Sequence, residues 1–437
     1  MFLYPPVQII GKNRLEGKVH LQGSKGSAVL LAASIFIADE PVTLANMPSI
    51  LDIDVVANIA HELGHDLRIN DRQFRLNPGS PKRRALIPPD LGRRLRITPS
   101  LAAAVLAKEG EVQFPLPGGD AFCPRPIDQH LAVMEAAGAT IEKNSSTFTA
   151  RLPGGRPTAF KFSAGTRNGP SLGVTVTALL LASRARGTSL ITEPSPEPEV
   201  EQVIAFLRGC GVAAHHRFDG AIEVVGGSGV LGTHQVLPPD RLEAGTLAIA
   251  AALTGGSVTL VAFPREGLPE TFWSLLREAG AEIETSPSGC VVTMTEHSRD
   301  NARVRYVRTA PHPGFPTDLQ PQATVLATQM SGITHIHEGV HELRSSHAKG
   351  LQQFGARVAT SGRSIVVTGA TALEAAEVVG EDIRCVVAYM LAALAADGCS
   401  TIHGGYHLRR GHSDFVETLR VLGAEVHQQQ REVPSHG

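Results

Sequence analysis

Six segments of the sequence set polar or charged residues at the mouth of an apolar run long enough for a helix. Ser24, Lys25 and Gly26 open SAVLLAASIFIA, and Arg93, Arg94 and Arg96 precede SLAAAVLA. Ser171, Leu172 and Gly173 lead into the run ending TVTALLLAS, and Asp240, Arg241 and Glu243 into AGTLAIAAAL. Asp318 precedes QATVLATQM, and Asp382 and Arg384 begin the run CVVAYMLAALAA. Helix N-termini carry free N–H groups and the positive end of the dipole, so they hold phosphates and carboxylates. A nearby Lys or Arg strengthens such a site. One lysine at a helix start is more often an exposed solubilising charge. Polar starts repeated on helices that must themselves be buried point instead to a cleft for an anionic substrate. Three irregular loops add charge: PGGDAFCPRPIDQH (117–130) with Asp120, Arg125 and Asp128, RTAPHPGFPTDLQPQ (308–322) with Asp318, and GYHLRRGHSDF (405–415) with Arg409 and Arg410. Their prolines stiffen them, so they read as positioned functional loops.

The elements beneath these groups repeat. An amphipathic segment ending in a glycine stop recurs at Gly64, Gly138, Gly211, Gly280, Gly355 and Gly423, at intervals of 68 to 75 residues. Helix, C-terminal glycine and following strand is the simplest reading. The apolar runs above precede these segments, each followed by a short strand-like stretch such as EPVTL, GTSLI or GCSTI. Runs apolar nearly all round belong in a core. The period is too long for a solenoid unit and fits a duplicated α/β module of two helices and about four short strands. Six units divide into two domains of three, with a boundary at the proline-containing HQVLPPDR. The strand-like VQIIG and KVHLQG before the first buried helix are expected to return to the second domain. The expected domains are therefore 24–238, and 1–23 with 239–437.

Composition removes other classes. At 437 residues the chain allows two or three domains. With 40 basic against 42 acidic residues there is no global pull towards nucleic acid or anionic lipid, and 5% aromatic residues disfavour a base-stacking platform. Five scattered cysteines without a CxxC argue against a disulfide scaffold or zinc site and for a reducing compartment. No signal peptide or membrane-spanning run is evident, so a soluble cytoplasmic enzyme is expected.

Several long motifs, in order, carry a family resemblance: LPGGD-x4-RPID, EPEV, LPPDRLEAGT, RTAPHPGFPTDLQ and YH-x2-RG. Over essentially its full length the chain resembles the enolpyruvyl transferases. It is more similar to the UDP-N-acetylglucosamine branch than to 5-enolpyruvylshikimate-3-phosphate synthase. The resemblance implies two inside-out α/β barrel domains, each of three units around buried helices, an active site in the interdomain cleft, and a mobile loop at 115–125. It implies transfer of the carboxyvinyl group of phosphoenolpyruvate to a hydroxyl by addition and then loss of phosphate, with no metal and no organic cofactor. Lys25, Arg96, Arg125, Arg344, Arg384 and Arg410 match the positions that hold the phosphate and carboxylate, and Asp382 a carboxylate near the reacting carbon. Asp382 and Arg384 would equally suit a helix cap and a surface charge. Asp318 matches the candidate base for the acceptor hydroxyl. Lys25, Asp120, Asp318 and Arg410 form the implied catalytic set. Arg125, Pro126, Ile127, Asp128, Ser171, Leu172, Gly173, Asp318 and Val340 match the uridine-nucleotide contacts. Asp240, Arg241, Glu197 and Glu199 also match motifs and read as hinge or interdomain residues. The implied partners are phosphoenolpyruvate and a uridine nucleotide, with no nucleic acid and no membrane, in a monomer or weak homo-oligomer.

The departures from the family are local. Asp120 stands where a cysteine is usual, which implies insensitivity to the epoxide antibiotic fosfomycin and requires a carboxyl that can be protonated. Cys123 reads as a bystander. On the sugar side, Gly26 replaces an asparagine, Ser100 a tryptophan, and Gly169 a lysine, with Arg167 nearby. Phe-Glu-Asn-Arg becomes His341-Glu342-Leu343-Arg344. Sugar contacts are lost while both anchors survive, which points to a changed acceptor: the 3′-hydroxyl of UMP, as in nikkomycin- and polyoxin-type nucleoside antibiotic pathways. The alternatives are an ordinary UDP-N-acetylglucosamine transferase of peptidoglycan synthesis and a non-catalytic nucleotide-binding paralogue.

Overall fold

A computed structural model describes residues 4–79, 85–119, 125–227, 229–295, 305–412 and 414–428. The chain forms two compact units, one of residues 22–238 and one of residues 1–21 with 239–437. The first boundary lies two residues before the expected one. Ser24 N–H donates to Pro238 O at 2.8 Å, and a Cβ at Gly23 would lie 1.7 Å from the carbonyl oxygen of Asn46. Only glycine permits that approach, and it ties the segment to the 22–238 unit.

Each unit is organised on three core helices. Lys25–Ser34, Thr98–Glu109 and Leu172–Ser183 belong to one, and Arg241–Thr254, Gln320–Thr328 and Ile383–Ala395 to the other. Their N-termini are closed by the residues the sequence singles out. Ser24 and Ser171 Oγ accept backbone N–H groups three residues on. Asp240 Oδ1 accepts Leu242 and Glu243 N–H, and Asp382 Oδ1 accepts Arg384 and Cys385 N–H; these are capping bonds. The other two helices place Pro99 and Pro321 in the first turn, where a missing N–H costs nothing. These helices are surrounded, so alanine and other small apolar residues fill them. Every residue from Ile383 to Ala395 is buried. The six glycine stops all adopt left-handed backbone, with φ between 80° and 98°, ending the outer helices where expected.

Among the described residues, five sheets have four strands and one has three. In each four-stranded sheet the strand after the core helix lies inside, with an antiparallel pair on one side and a parallel strand on the other. Gly332–His337 shows the plan: Tyr306–Arg308 runs parallel to it, Ser364–Gly369 antiparallel, and Arg357–Ser361 lies beyond. In the Glu111–Pro115 sheet the parallel partner shrinks to one bridge, Leu86 to Gln113. Two strands are exchanged. Glu16–His20 leads into the Lys25 helix but pairs with Ser257–Val261. His234–Val236 leads into the Arg241 helix but pairs with Val42–Ala45. Val7–Ile10 completes another sheet between Cys399–His403 and Glu425–Gln428. Each unit has its own continuous hydrophobic core. No described helix is long and apolar enough to cross a membrane.

Three buried histidines set an acid limit. Burial lowers His65 and His347 to about 4 and His130 to about 3. The unfolded chain protonates them near 6.5, so it binds more protons than the fold below that pH and stability falls with acidification. The 22–238 unit holds His65 and His130 and should lose up to about 3 kcal/mol per pH unit in the window between pH 6.5 and 4. The other unit holds His347 and should lose about half as much. Native-state hydrogen exchange at pH 7, 6 and 5 checks this, and equal slopes in the two units would refute it.

Candidate functional site

In the unit containing residues 239–437, the candidate residues gather around Asp318. The carboxylate sits in a short 3-10 turn, Thr317–Leu319, just before the core helix Gln320–Thr328. Arg344 Nη1 donates to Asp318 Oδ1 and Arg384 Nη2 to Oδ2, both at 2.6 Å. The two guanidinium groups are buried, whereas the Asp318 side chain is 33% exposed. Partial burial alone would raise the carboxyl; Arg384 and Arg344 overcome it and hold it well below the usual carboxylate range. Arg384 Nη1 also meets His412 Nε2 at 3.1 Å. The reading of Arg384 as a surface charge is therefore corrected: the first turn of a core helix carries it inwards. Arg410 is buried on the Gly405–Gly411 helix, while its neighbour Arg409 is exposed.

Asp382 is a cap, as one of its two readings had it, and it has a further role. Its Oδ2 accepts Ser346 Oγ–H and Cys385 Sγ–H, both at 3.0 Å. Burial pushes the Cys385 thiol up, and the adjacent carboxylate adds to this, so the thiol acts as a donor. Asp240, expected as a hinge residue, is the cap of its helix.

In the 22–238 unit, Lys25 is the first residue of its helix and partly exposed. Arg96 Nη1 donates to Arg125 O at 2.7 Å and Nη2 to Pro126 O at 3.4 Å, clamping the start of Arg125-Pro126-Ile127-Asp128. Ile127 is buried, Pro126 and Asp128 are exposed, and Asp128 begins the helix Asp128–Ala136. Leu172 and Gly173 open the Leu172–Ser183 helix behind the cap Ser171. A Cβ at Gly173 would lie 3.0 Å from His130 Cε1. Ser100, Thr177 and His130 form a buried chain, with Thr177 Oγ1 at 3.0 Å from Ser100 Oγ and 2.8 Å from His130 Nδ1. A polar network thus occupies the place of the family tryptophan. A Cβ at Gly26 would lie 3.1 Å from Glu199 Cγ and Oε1, so an asparagine there would require Glu199 to shift. Gly169 has φ +100°, a backbone suited to glycine and poor for the lysine it replaces. Asp120 and Cys123 lie outside the described residues. Among those described, no group of three or more His, Cys, Asp or Glu could hold a metal.

Sequence reasoning missed Glu338, His130, Thr177 and Ser346. Each is a single polar residue without a motif, and only the fold shows that Glu338, His130 and Thr177 are buried and that Ser346 meets Asp382.

Residues 9–419 match the EPSP synthase (3-phosphoshikimate 1-carboxyvinyltransferase) family, and the chain belongs to it: it is an enolpyruvyl (carboxyvinyl) transferase. The chain is 34% identical over 431 residues to UDP-N-acetylglucosamine 1-carboxyvinyltransferase 2 of Prochlorococcus marinus, covering 96% of this chain and 97% of that one. It is 34% identical over 436 residues to UDP-N-acetylglucosamine 1-carboxyvinyltransferase of Azorhizobium caulinodans, covering 96% and 98%. Among solved structures, the enolpyruvyl transferase NikO of Streptomyces tendae superposes with a TM-score of 0.86 at 26% identity, covering 98% of this chain and 100% of that one. The EPSP synthase of Acinetobacter baumannii shares the fold, with a TM-score of 0.73 at 18% identity over 98% and 100% of the chains.

Proposed function

We propose that this enzyme moves the enolpyruvyl group of phosphoenolpyruvate onto a hydroxyl of a uridine nucleotide, and that the acceptor is the 3′-hydroxyl of UMP. Asp120 delivers a proton to the methylene carbon while the acceptor oxygen attacks the neighbouring carbon and gives its proton to Asp318. Loss of phosphate and of one methyl proton then yields the enol ether. Lys25, Arg96, Arg125, Arg344, Arg384 and Arg410 hold the phosphate and carboxylate, which keep their charge throughout. Asp318 starts as a weak base because both its oxygens are engaged by arginines. The substrate's anionic groups draw Arg344 and Arg384 away, and the carboxylate then regains the basicity the step needs.

The acceptor assignment rests chiefly on position 26, where glycine supplies no amide for a sugar and the Glu199 side chain lies 3.1 Å from where a Cβ would stand. The likeness to NikO supports the same reading. UDP-N-acetylglucosamine is the competing acceptor, favoured by the likeness to UDP-N-acetylglucosamine 1-carboxyvinyltransferases at 34% identity. Phosphate release from phosphoenolpyruvate decides between them. UMP should exceed UDP-N-acetylglucosamine in kcat/KM by about 10²-fold, the scale set by unpaired or missing polar contacts. Turnover with the UDP-sugar alone would overturn the assignment. Turnover with neither would return the chain to a binding role.

A further inference from the structure

Glu338 is 2% exposed, carries no assigned role, and receives four hydrogen bonds on two oxygens. Its Oε1 accepts Thr309 Oγ1–H at 2.7 Å, Val340 N–H at 2.8 Å and His341 N–H at 2.9 Å. Its Oε2 accepts Thr317 Oγ1–H at 2.9 Å. The Thr317 hydroxyl in turn accepts Arg344 Nη1 at 3.0 Å, and the same nitrogen donates to Asp318. Thr309 is itself fixed, since its hydroxyl accepts Gly339 N–H at 2.8 Å. The Glu338 backbone is also tied on both sides, its N–H to Arg363 O and its carbonyl to Arg363 Nη1.

Buried carboxylates are costly unless fully bonded, and this one meets only donors. It joins three segments that are separate in sequence: the end of the strand Tyr306–Arg308, the turn bearing Asp318, and the loop running from Val340 to Arg344. We infer that Glu338 is the positioning residue that sets Asp318 and Arg344 in register with the Val340 loop. One oxygen serves the turn and the other serves the loop. Glu338 is too buried to touch substrate, so it acts only through these partners. The inference rests on the proposed roles of Asp318 and Val340.

Two variants separate the arms. Glu338→Gln keeps the size but turns an N–H₂ group towards either Thr317 or the Val340 and His341 N–H pair, all of which present hydrogens. It should lower kcat by about 10- to 100-fold, the scale of small misplacements of reacting groups, and raise the KM for the nucleotide severalfold. Thr317→Val cuts only the arm to Arg344 and Asp318, so kcat should fall while the nucleotide KM stays put. In the double variant the kcat losses should not add, as expected for one connected network. Hydrogen exchange of the Val340 and His341 amides in the free protein supplies a readout without turnover, and Glu338→Gln should lose protection there while the core helices keep theirs. Unchanged kcat, nucleotide KM and local protection in Glu338→Gln would overturn the inference. So would a uniform loss of protection across the unit, which is the mark of a merely structural residue. A wild type that turns over no uridine nucleotide would sink the functional reading, and the exchange result would still decide whether Glu338 orders the loop.

Discussion

Asp318→Asn is expected to lower kcat by about 10³-fold while phosphoenolpyruvate binds more tightly than to the wild type. Loss of a positioned base costs about 10²–10⁴-fold. The gain in binding follows from the ion pairs. In the wild type the anion must displace the Asp318 carboxylate from Arg344 and Arg384, each at 2.6 Å. The amide removes that competitor and takes a carboxylate charge away from two buried guanidinium groups. Losing that ion pairing destabilises the fold, so the melting temperature should drop by about 2–6 °C. Phosphoenolpyruvate or inorganic phosphate should restore it by more than in the wild type. Calorimetric titration with phosphoenolpyruvate and a thermal scan with phosphate provide the check. A variant with weakened phosphoenolpyruvate binding, or with more than a tenth of wild-type turnover, would contradict the assignment of Asp318 as a substrate-released base.

The Arg384→Ala variant should lose about 10²-fold or more in kcat/KM for phosphoenolpyruvate, with the nucleotide KM within about twofold of wild type. Truncating one partner of a buried charge pair costs 2–5 kcal/mol, and every 1.36 kcal/mol is tenfold. Arg384→Lys should recover little of this. The arginine uses separate nitrogens for His412 and Asp318, and a single ammonium on a flexible stem does not reproduce that fork. Steady-state kinetics with each substrate varied in turn separates the two constants. A defect confined to the nucleotide would show that Arg384 belongs to acceptor binding.

The sequence makes the repeat visible because its two signals are physical necessities. Helices packed on every side must be apolar all round, and helices ending in a tight left-handed turn need glycine at Gly64 through Gly423. The capping residues Ser24, Ser171, Asp240 and Asp382 were also legible, as polar residues at the mouth of apolar runs. The partnership of Asp318 with Arg344 and Arg384 was not. It joins positions 26 and 66 residues apart, and no local pattern encodes that distance. Glu338 looked like a charge after a strand, and only the convergence of three segments makes it a buried acceptor. The exchanged strands were half legible. VQIIG and KVHLQG read as strands returning to the later domain, but nothing in HQV announced that it pairs with Val42–Ala45.

That exchange has a consequence for synthesis. The 22–238 unit contains every strand of its sheets, so it can complete itself as the ribosome releases it. Val7–Ile10 must wait for Cys399–His403 and Glu425–Gln428, and Glu16–His20 for Ser257–Val261. At 5–20 residues per second, the first of these strands stays unpaired for about 20–80 s while the rest of the chain is made. Its exposed edge is a hazard for aggregation in that interval. Strands made before the whole of the 22–238 unit are therefore among the last to find their places.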